Sequence, residues 1–269
     1  ELNSLKRVLS AGAPVASAVL ERFSSMLSPM ACIHTPYGAT EALPVSSISH
    51  REVLRIGGSA EGKGTCVGLP LDGVQVVVIR ISDDPIEEWA DDLVVEPGTI
   101  GELVVWGDNV SKEYFRRLHA NRLAKIPMPD GQVRHRMGDL GYLDELGRIW
   151  FCGRKSHRVI TSDGTLYTVS CEGVFNNHTK VFRTALVGVG DPPNQVPVLC
   201  VEVEKHVKQR QLGRIRQELF DLGSAYDHTQ VIERILFHPA FPVDIRHNAK
   251  IFREKLATWA KDRIGATHS

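Results

Sequence analysis

Tyr37, Gly38, Thr40 and Glu41 fall within five consecutive residues, "YGATE", directly behind an apolar stretch. A phenol ring offers a flat face for stacking. Glycine lets a backbone turn sharply and lets a ligand come close. Threonine brings a hydroxyl, and glutamate brings a hard oxygen of the kind magnesium accepts. Together these are the parts needed to hold a nucleotide and a metal ion. The same residues also suit a surface turn with a helix N-terminus behind it, and short motifs occur by chance. The stretch by itself leaves both readings open.

Such side chains need strands and turns to aim them. The opening "LKRVLSAGAP" is a short apolar run ending in small residues, with Pro14 placed to start a helix. The spacing of "PVASAVLERFSSML" predicts a helix presenting Val15, Val19, Phe23 and Met26 on one face. "MACIHTPYGATE" repeats the plan of apolar run, turn and polar groups. Two such units suggest part of an α/β layer, where ligands sit beyond the carboxyl ends of strands. From about residue 66 the texture turns β-rich: "GVQVVVIRI", "GTIGELVVWG" and "GYLDELGRIWFCGR" are separated by Gly, Pro and Asp turns and read as hairpins. A further hairpin is expected around residues 162–164. Apolar runs "TALVGVG" and "VPVLCVEV" follow, then a polar helix near 209–222 and a terminal helix from about Lys250. The chain therefore reads as α/β (1–65) plus a β-rich part (66–154), then an α+β unit (155–269), with a boundary near 154–158.

Composition narrows the function. In 269 residues, 42% are hydrophobic and 24% charged, close to the average for a globular protein. Lys plus Arg is 32 and Asp plus Glu is 32, so no net field favours nucleic acid or an anionic membrane. No apolar run approaches the roughly 20 residues of a transmembrane helix. The five cysteines are scattered without a C-x-x-C pair and read as reduced thiols of a cytoplasmic protein. The start, "ELNSLKRVLSAGAP", is no signal peptide and lacks an initiator methionine, so the chain is expected to come from something longer.

Three other features invite functional readings and do not sustain them. "GGSAEGKGTCVG" approaches a phosphate-cradling loop, but Gly64 stands where its hydroxyl residue belongs, and no helical pattern follows. "KHVKQRQLGRIR" is basic, yet Glu218 and Asp221 follow, as on a solvated helix face. The eleven histidines show no ligand spacing for structural zinc.

"SAGAP" (residues 10–14), "YGATE", "MGDLGYLDELGRIWFCGR" (137–154) and "FPVDIRHNAKIFREKL" near the C-terminus occur in that order. In that order they resemble the superfamily of adenylate-forming enzymes: acyl-CoA synthetases, adenylation domains and luciferases. The resemblance covers nearly the whole chain but only the C-terminal half of the family's length. It implies the later portion of the large adenylation domain, an α/β layer plus a small β-barrel-like subdomain, followed by a mobile α+β lid. The family's Ser/Thr/Gly-rich phosphate loop is expected upstream of residue 1. "SAGAPV", "YGATEALPVSSI", "GGSAEGKGTCVGLPLDGVQVVVI" and "GRKSHRV" look most like the β-lactone synthetases of bacterial long-chain olefin biosynthesis. There the resemblance implies ATP-dependent closure of a 2-alkyl-3-hydroxy fatty acid to a β-lactone, with AMP and pyrophosphate released.

The same resemblance assigns roles. Thr40 is expected to donate to the α-phosphate, and Glu41 to bind the Mg²⁺ that bridges phosphates. Tyr37 is expected to stack on adenine, with Gly38 letting the base sit close and Gly12, Ala13 and Pro14 as the opposite wall. Asp139 is expected to accept from both ribose hydroxyls, and Arg154 to reach ribose or phosphate. Lys250 matches the lysine that the lid swings over the site. Read without the resemblance, Asp139 suits a turn cap and Lys250 a surface lysine at a helix start, where the helix dipole disfavours it.

The chain departs from the family at Ser156 and His157, where the lid hinge is expected, at Ala249, where glycine is usual, and at Ser170, where proline is usual. An altered hinge suggests a second half-reaction other than thioester formation. A fatty acyl-CoA or acyl-AMP ligase shares every residue named above. A third reading is a non-catalytic module, because the phosphate loop is not in this chain. Expected partners are ATP, Mg²⁺, a fatty β-hydroxy acid, a second copy of the chain covering apolar surface, and other enzymes of the same lipid pathway.

Overall fold

A computed structural model of the chain describes residues 2, 4–15, 17–57, 61–245 and 247–265, and of residues 247–249 the backbone alone. The described chain divides into two compact units, residues 1–57 with 65–155, and residues 58–64 with 156–269.

In the first unit, β1 (Arg7–Leu9) runs parallel to β2 (Cys32–Ala39) with α1 (Ser17–Ser24) between them. This is a strand–helix–strand element of an α/β layer. β2 then turns back into β3 (Ala42–Ser49). Helix α2 (His50–Ile56) begins with a capping box, the Ser49 hydroxyl accepting from the Glu52 amide and Glu52 reaching back to Ser49. The face expected for α1 is corrected. Leu20 and Leu27 are buried with Ala31 and Ile33, and Phe23 packs against them, whereas Val19 and Met26 are 46% and 47% exposed. The stripe 20, 23, 27 sets the helix phase, and α1 ends at Ser24, before Met26.

The β-rich segment forms a six-stranded antiparallel sheet. Its strands are β4 (Thr65–Gly68), β5 (Val74–Ile79), β6 (Gly101–Gly107), β7 (Lys125–Pro127), β8 (Val133–Leu143) and β9 (Ile149–Arg154), with α3 (Leu118–Ala124) before β7. The order is β4-β9-β8-β6-β5, with β7 on β8. This is an open path rather than a closed barrel. Val45, Val67, Val74, Val78, Leu103, Val105, Met137 and Ile149 form its core. The turn between β8 and β9 is tied by Asp144, whose carboxylate accepts from the Leu146 and Arg148 amides and from Trp150 Nε1.

In the second unit, β10 (Val159–Thr161) and β11 (Gly164–Leu166) form a hairpin. β12 (Val181–Val189), β13 (Val196–Val203) and β14 (Arg234–Phe237) form a mixed sheet, in which β13 is antiparallel to β12 and parallel to β14. Alternation divides its faces. Leu186, Leu199 and Val201 meet α4 (Thr168–Phe175) and α5 (Leu212–Gly223) through Cys171, Phe175, Ile215 and Leu219. Ala185, Val187, Val198 and Cys200 meet α7 (Arg253–Gly265) through Leu256 and Ala260. A short helix α6 (Asp227–Gln230) precedes β14, and β15 (Val243–Asp244) pairs with β16 (His247–Ile251). Lys250 therefore belongs to a strand rather than a helix start. The helix-dipole argument made from its sequence neighbourhood does not apply. Among the described residues, no helix is long and apolar enough to cross a membrane. All five cysteines are free.

Candidate functional site

The "YGATE" stretch is a hairpin rather than the foot of a helix. Tyr37 to Ala39 end β2, Thr40 and Glu41 make the turn, and Ala39 pairs with Ala42. A bulge in β3 interrupts the register, so that Gly38 alone stands opposite Leu43, Pro44 and Val45. A Cβ on Gly38 would lie 2.4 Å from the Ala42 carbonyl oxygen, so this glycine is required by closure of its own hairpin. At Gly12 the space for a Cβ is open and φ is +101°. There glycine serves the backbone turn.

A second bulge sets Asp139. Glu102 pairs with Leu140 and Val104 with Arg136, so Met137, Gly138 and Asp139 stand opposite Leu103 alone. Gly138 takes φ +64°, a conformation that costs glycine little. On its other side Asp139 pairs in register with Arg154 of β9. Arg154 Nη1 lies 2.9 Å from Asp139 Oδ1 as an ion pair and also donates to the Met137 carbonyl, 3.0 Å away. Asp139 Oδ1 thus faces the guanidinium cation. Oδ2 accepts from Tyr37 Oη at 2.7 Å. Burial pushes the Asp139 carboxyl up from its usual range, against the pull of Arg154 and the Tyr37 bond. Burial, then the Asp139 charge, pushes the Tyr37 phenol well above its usual value.

These side chains surround a cavity of about 140 Å³ within the first unit, lined by Gly12, Ala13, Pro14, Tyr37, Gly38, Asp139 and Arg154, with Phe151 among the remaining walls. The Phe151 ring centroid lies 6.0 Å from that of Tyr37. A carboxylate has more acceptor sites than Tyr37 and Arg154 fill, so Asp139 can still accept from a ligand hydroxyl.

Glu41 lines a second cavity of about 370 Å³ in the same unit, which shares Arg154 with the first. Its Oε1 accepts from Tyr114 Oη at 2.8 Å. Burial raises the Glu41 carboxyl, but the Tyr114 bond, its own amide and the His135 and Lys125 charges outweigh it and hold the group below its usual value. Burial and the Glu41 carboxylate push Tyr114 up to about 12. Burial pushes Lys125 down to about 8, and burial with the Lys125 charge pushes His135 down to about 4. Tyr114, Lys125 and His135 were not singled out by sequence. Tyr114 is 73 residues from Glu41, and no local spacing signals their bond. Thr40 is exposed at the turn and lines neither cavity. Lys250 is exposed on β16 of the second unit. Ser170 is buried in α4, its hydroxyl without a hydrogen-bond partner.

Among the described residues no three His, Cys, Asp or Glu side chains cluster as a metal site. Magnesium commonly takes one or two carboxylates and completes its shell with phosphates and water. Glu41, which lines the second cavity, fits the carboxylate of that donor set.

A family model described as "AMP-binding enzyme" matches residues 1–115. The chain is 48% identical to the olefin beta-lactone synthetase of Xanthomonas campestris pv. campestris over 264 residues, covering 96% of this chain and 48% of that protein. It is 30% identical to a 2-succinylbenzoate–CoA ligase of Bacillus mycoides, covering 80% and 40%. Among solved structures, an amide bond synthetase from Marinactinospora thermotolerans superposes with a TM-score of 0.72 at 24% identity, over 95% of this chain and 47% of that one. The O-succinylbenzoate coenzyme A synthetase of Bacillus subtilis in complex with ATP and magnesium ion gives 0.68 at 24%, over 94% and 46%. At that identity the two structures speak for the fold. The chain spans about half the length of the curated relatives it matches. With the matched family and the shared fold taken together, the chain belongs to the AMP-binding, adenylate-forming enzymes.

Proposed function

We propose that this chain holds the nucleotide and carries the lid of an enzyme that activates a fatty acid as its acyl adenylate and then closes a 2-alkyl-3-hydroxy acid to a β-lactone. The observation that carries this reading is the buried Asp139 carboxylate, paired with Arg154 in a cavity walled by Tyr37 and by residues 12–14. That carboxylate suits a ribose diol, with Tyr37 against the base and Arg154 toward ribose or phosphate.

In the first step a substrate carboxylate oxygen attacks the α-phosphorus of ATP, and pyrophosphate leaves with the electrons of the broken P–O bond. Charge builds on phosphate oxygens, so positioned donors and cations matter more than proton transfer. Thr40 supplies a hydroxyl and Glu41 holds magnesium, which neutralises phosphate charge when bound. Lys250 supplies an ammonium suited to both carboxylate and α-phosphate. In the second step the substrate's β-hydroxyl oxygen bonds to the acyl carbon. The bond to AMP breaks, and the hydroxyl proton passes to solvent. The attack is intramolecular and needs no passage for a bulky nucleophile. On this reading the enzyme works in the cytoplasm, pairs with a second copy and neighbours other enzymes of its lipid pathway.

The test is incubation of the full polypeptide, as encoded, with ATP, Mg²⁺ and a 2-alkyl-3-hydroxy acid. Lactone and AMP should form without coenzyme A. A second reading, a fatty acyl-CoA ligase, is favoured by the 30% identity to a CoA ligase. Product that appears only when coenzyme A is added would establish it instead.

A further inference from the structure

The loop after β6 is fastened to the Thr40–Glu41 turn along its length. Val110 bridges to Ala42, the Ser111 amide donates to the Glu41 carbonyl at 2.8 Å, and Asn109 Nδ2 donates to the Pro44 carbonyl at 2.7 Å. The loop then presents Tyr114. Asn121 of α3 clamps the Tyr114 backbone from both sides, accepting from its amide at 2.6 Å and donating to its carbonyl at 3.0 Å. The Tyr114 ring is flanked by the Lys125 ammonium, 5.4 Å from its centroid, and by the edge-on ring of His135 at 6.5 Å. Lys125 is itself tied back to Ser111, donating to its hydroxyl at 3.1 Å and to its carbonyl. Every one of these contacts restricts where the phenol oxygen lies, and that oxygen is 2.8 Å from Glu41 Oε1. A carboxylate at a partly exposed turn would otherwise sample several rotamers.

We infer that Tyr114 is a positioning residue for the metal-binding carboxylate: its hydroxyl engages Glu41 Oε1, fixes the side-chain rotamer and leaves Oε2 as the atom that meets the cation. The inference rests on the proposed role of Glu41 and adds to it a residue from another strand connection. Tyr114 touches neither substrate nor metal. Its effect passes through Glu41 alone, so removal of the hydroxyl should weaken the cation and spare the nucleotide.

The experiment compares wild type with Tyr114→Phe in the full polypeptide, as encoded. Mn²⁺ is titrated into ATP-saturated protein and followed by its paramagnetic signal, a readout that needs no turnover. The affinity for Mn²⁺ should fall roughly ten-fold, the size expected for one hydrogen bond to a charged group. AMP affinity without metal and the melting temperature should stay near wild type. In pyrophosphate exchange, the Mg²⁺ concentration for half-maximal rate should rise by the same factor, with the ATP KM unchanged at saturating Mg²⁺. An unaltered metal curve in Tyr114→Phe would overturn the inference. So would an equal loss of AMP and metal binding, which would mark a structural role. Should wild type bind Mn²⁺ with ATP yet show no carboxylate-dependent exchange, the adenylation reading fails. A Tyr114→Phe shift in Mn²⁺ affinity would still support this one.

Discussion

Tyr37 and Asp139, 102 residues apart, are joined by a hydrogen bond of 2.7 Å from phenol to carboxylate. The bond ties the end of β2 to the bulge of β8 and fixes one wall of the cavity. Asp139→Asn should lower AMP affinity by roughly 10- to 100-fold, because a charged acceptor for two hydroxyls is replaced by a neutral one. The melting temperature should hold or rise, since burial already opposes the charge of Asp139. Calorimetric titration and thermal melting measure both, and a variant that binds AMP like wild type would remove Asp139 from the nucleotide site.

Gly38→Ala and Gly12→Ala should differ in kind. At Gly38 a Cβ meets the Ala42 oxygen at 2.4 Å, so the hairpin must open and nucleotide binding should be lost along with stability. At Gly12 the Cβ meets nothing within 4 Å, and the cost is the backbone strain of φ +101°, on the order of 1 kcal/mol. Melting curves of the two variants should separate accordingly.

His135 predicts a pH dependence of stability. Its folded pKa is about 4, depressed first by burial and then by Lys125, while an unfolded histidine titrates near about 6.5. Between those values the unfolded chain binds a proton that the folded chain refuses. Stability is therefore complete above about pH 6.5 and falls as pH drops toward about 4, with a slope approaching roughly 1.4 kcal/mol per unit. Urea unfolding across this window should show the slope in wild type and lose much of it in His135→Asn.

Glu102 is the anion between two cations, with Arg136 Nη2 at 2.6 Å and Lys155 Nζ at 3.0 Å. The Arg136 and Glu102 side chains are each 1% exposed. Glu102→Gln removes the buried charge that Arg136 and Lys155 share and should cost about 3–5 kcal/mol, readable in chemical denaturation.

Lys250→Ala should leave melting unchanged, because the side chain is exposed. The same variant of the full polypeptide should lose a factor on the order of 10²–10³ in pyrophosphate exchange. Retained exchange would remove Lys250 from the first step.

Local pattern carried much of the fold. Alternation and turn residues in "GVQVVVIRI" and "GYLDELGRIWF" marked β5, β8 and β9, because strand periodicity and the Asp144 turn are properties of neighbouring residues. The β10–β11 hairpin was legible for the same reason. The phase of α1 was not, since Leu20 rather than Val19 won burial only once Ile33 lay beside it. Nor was the strand at Lys250, whose pairing depends on Val243 and Ile251 meeting across β15 and β16.

The sequence by itself, through the family that the order of its motifs resembles, named Gly12, Ala13, Pro14, Tyr37, Gly38, Thr40, Glu41, Asp139, Arg154 and Lys250, and it determined their chemical types. Only the tertiary structure decided their environments. It set Asp139 against Arg154 by cross-strand register, took the Tyr37 hydroxyl for Asp139, and brought Tyr114 to Glu41. Those relationships join residues far apart along the chain. They arise from bulges, loop attachments and burial that exist only when the strands are assembled, and so they leave no spacing to read.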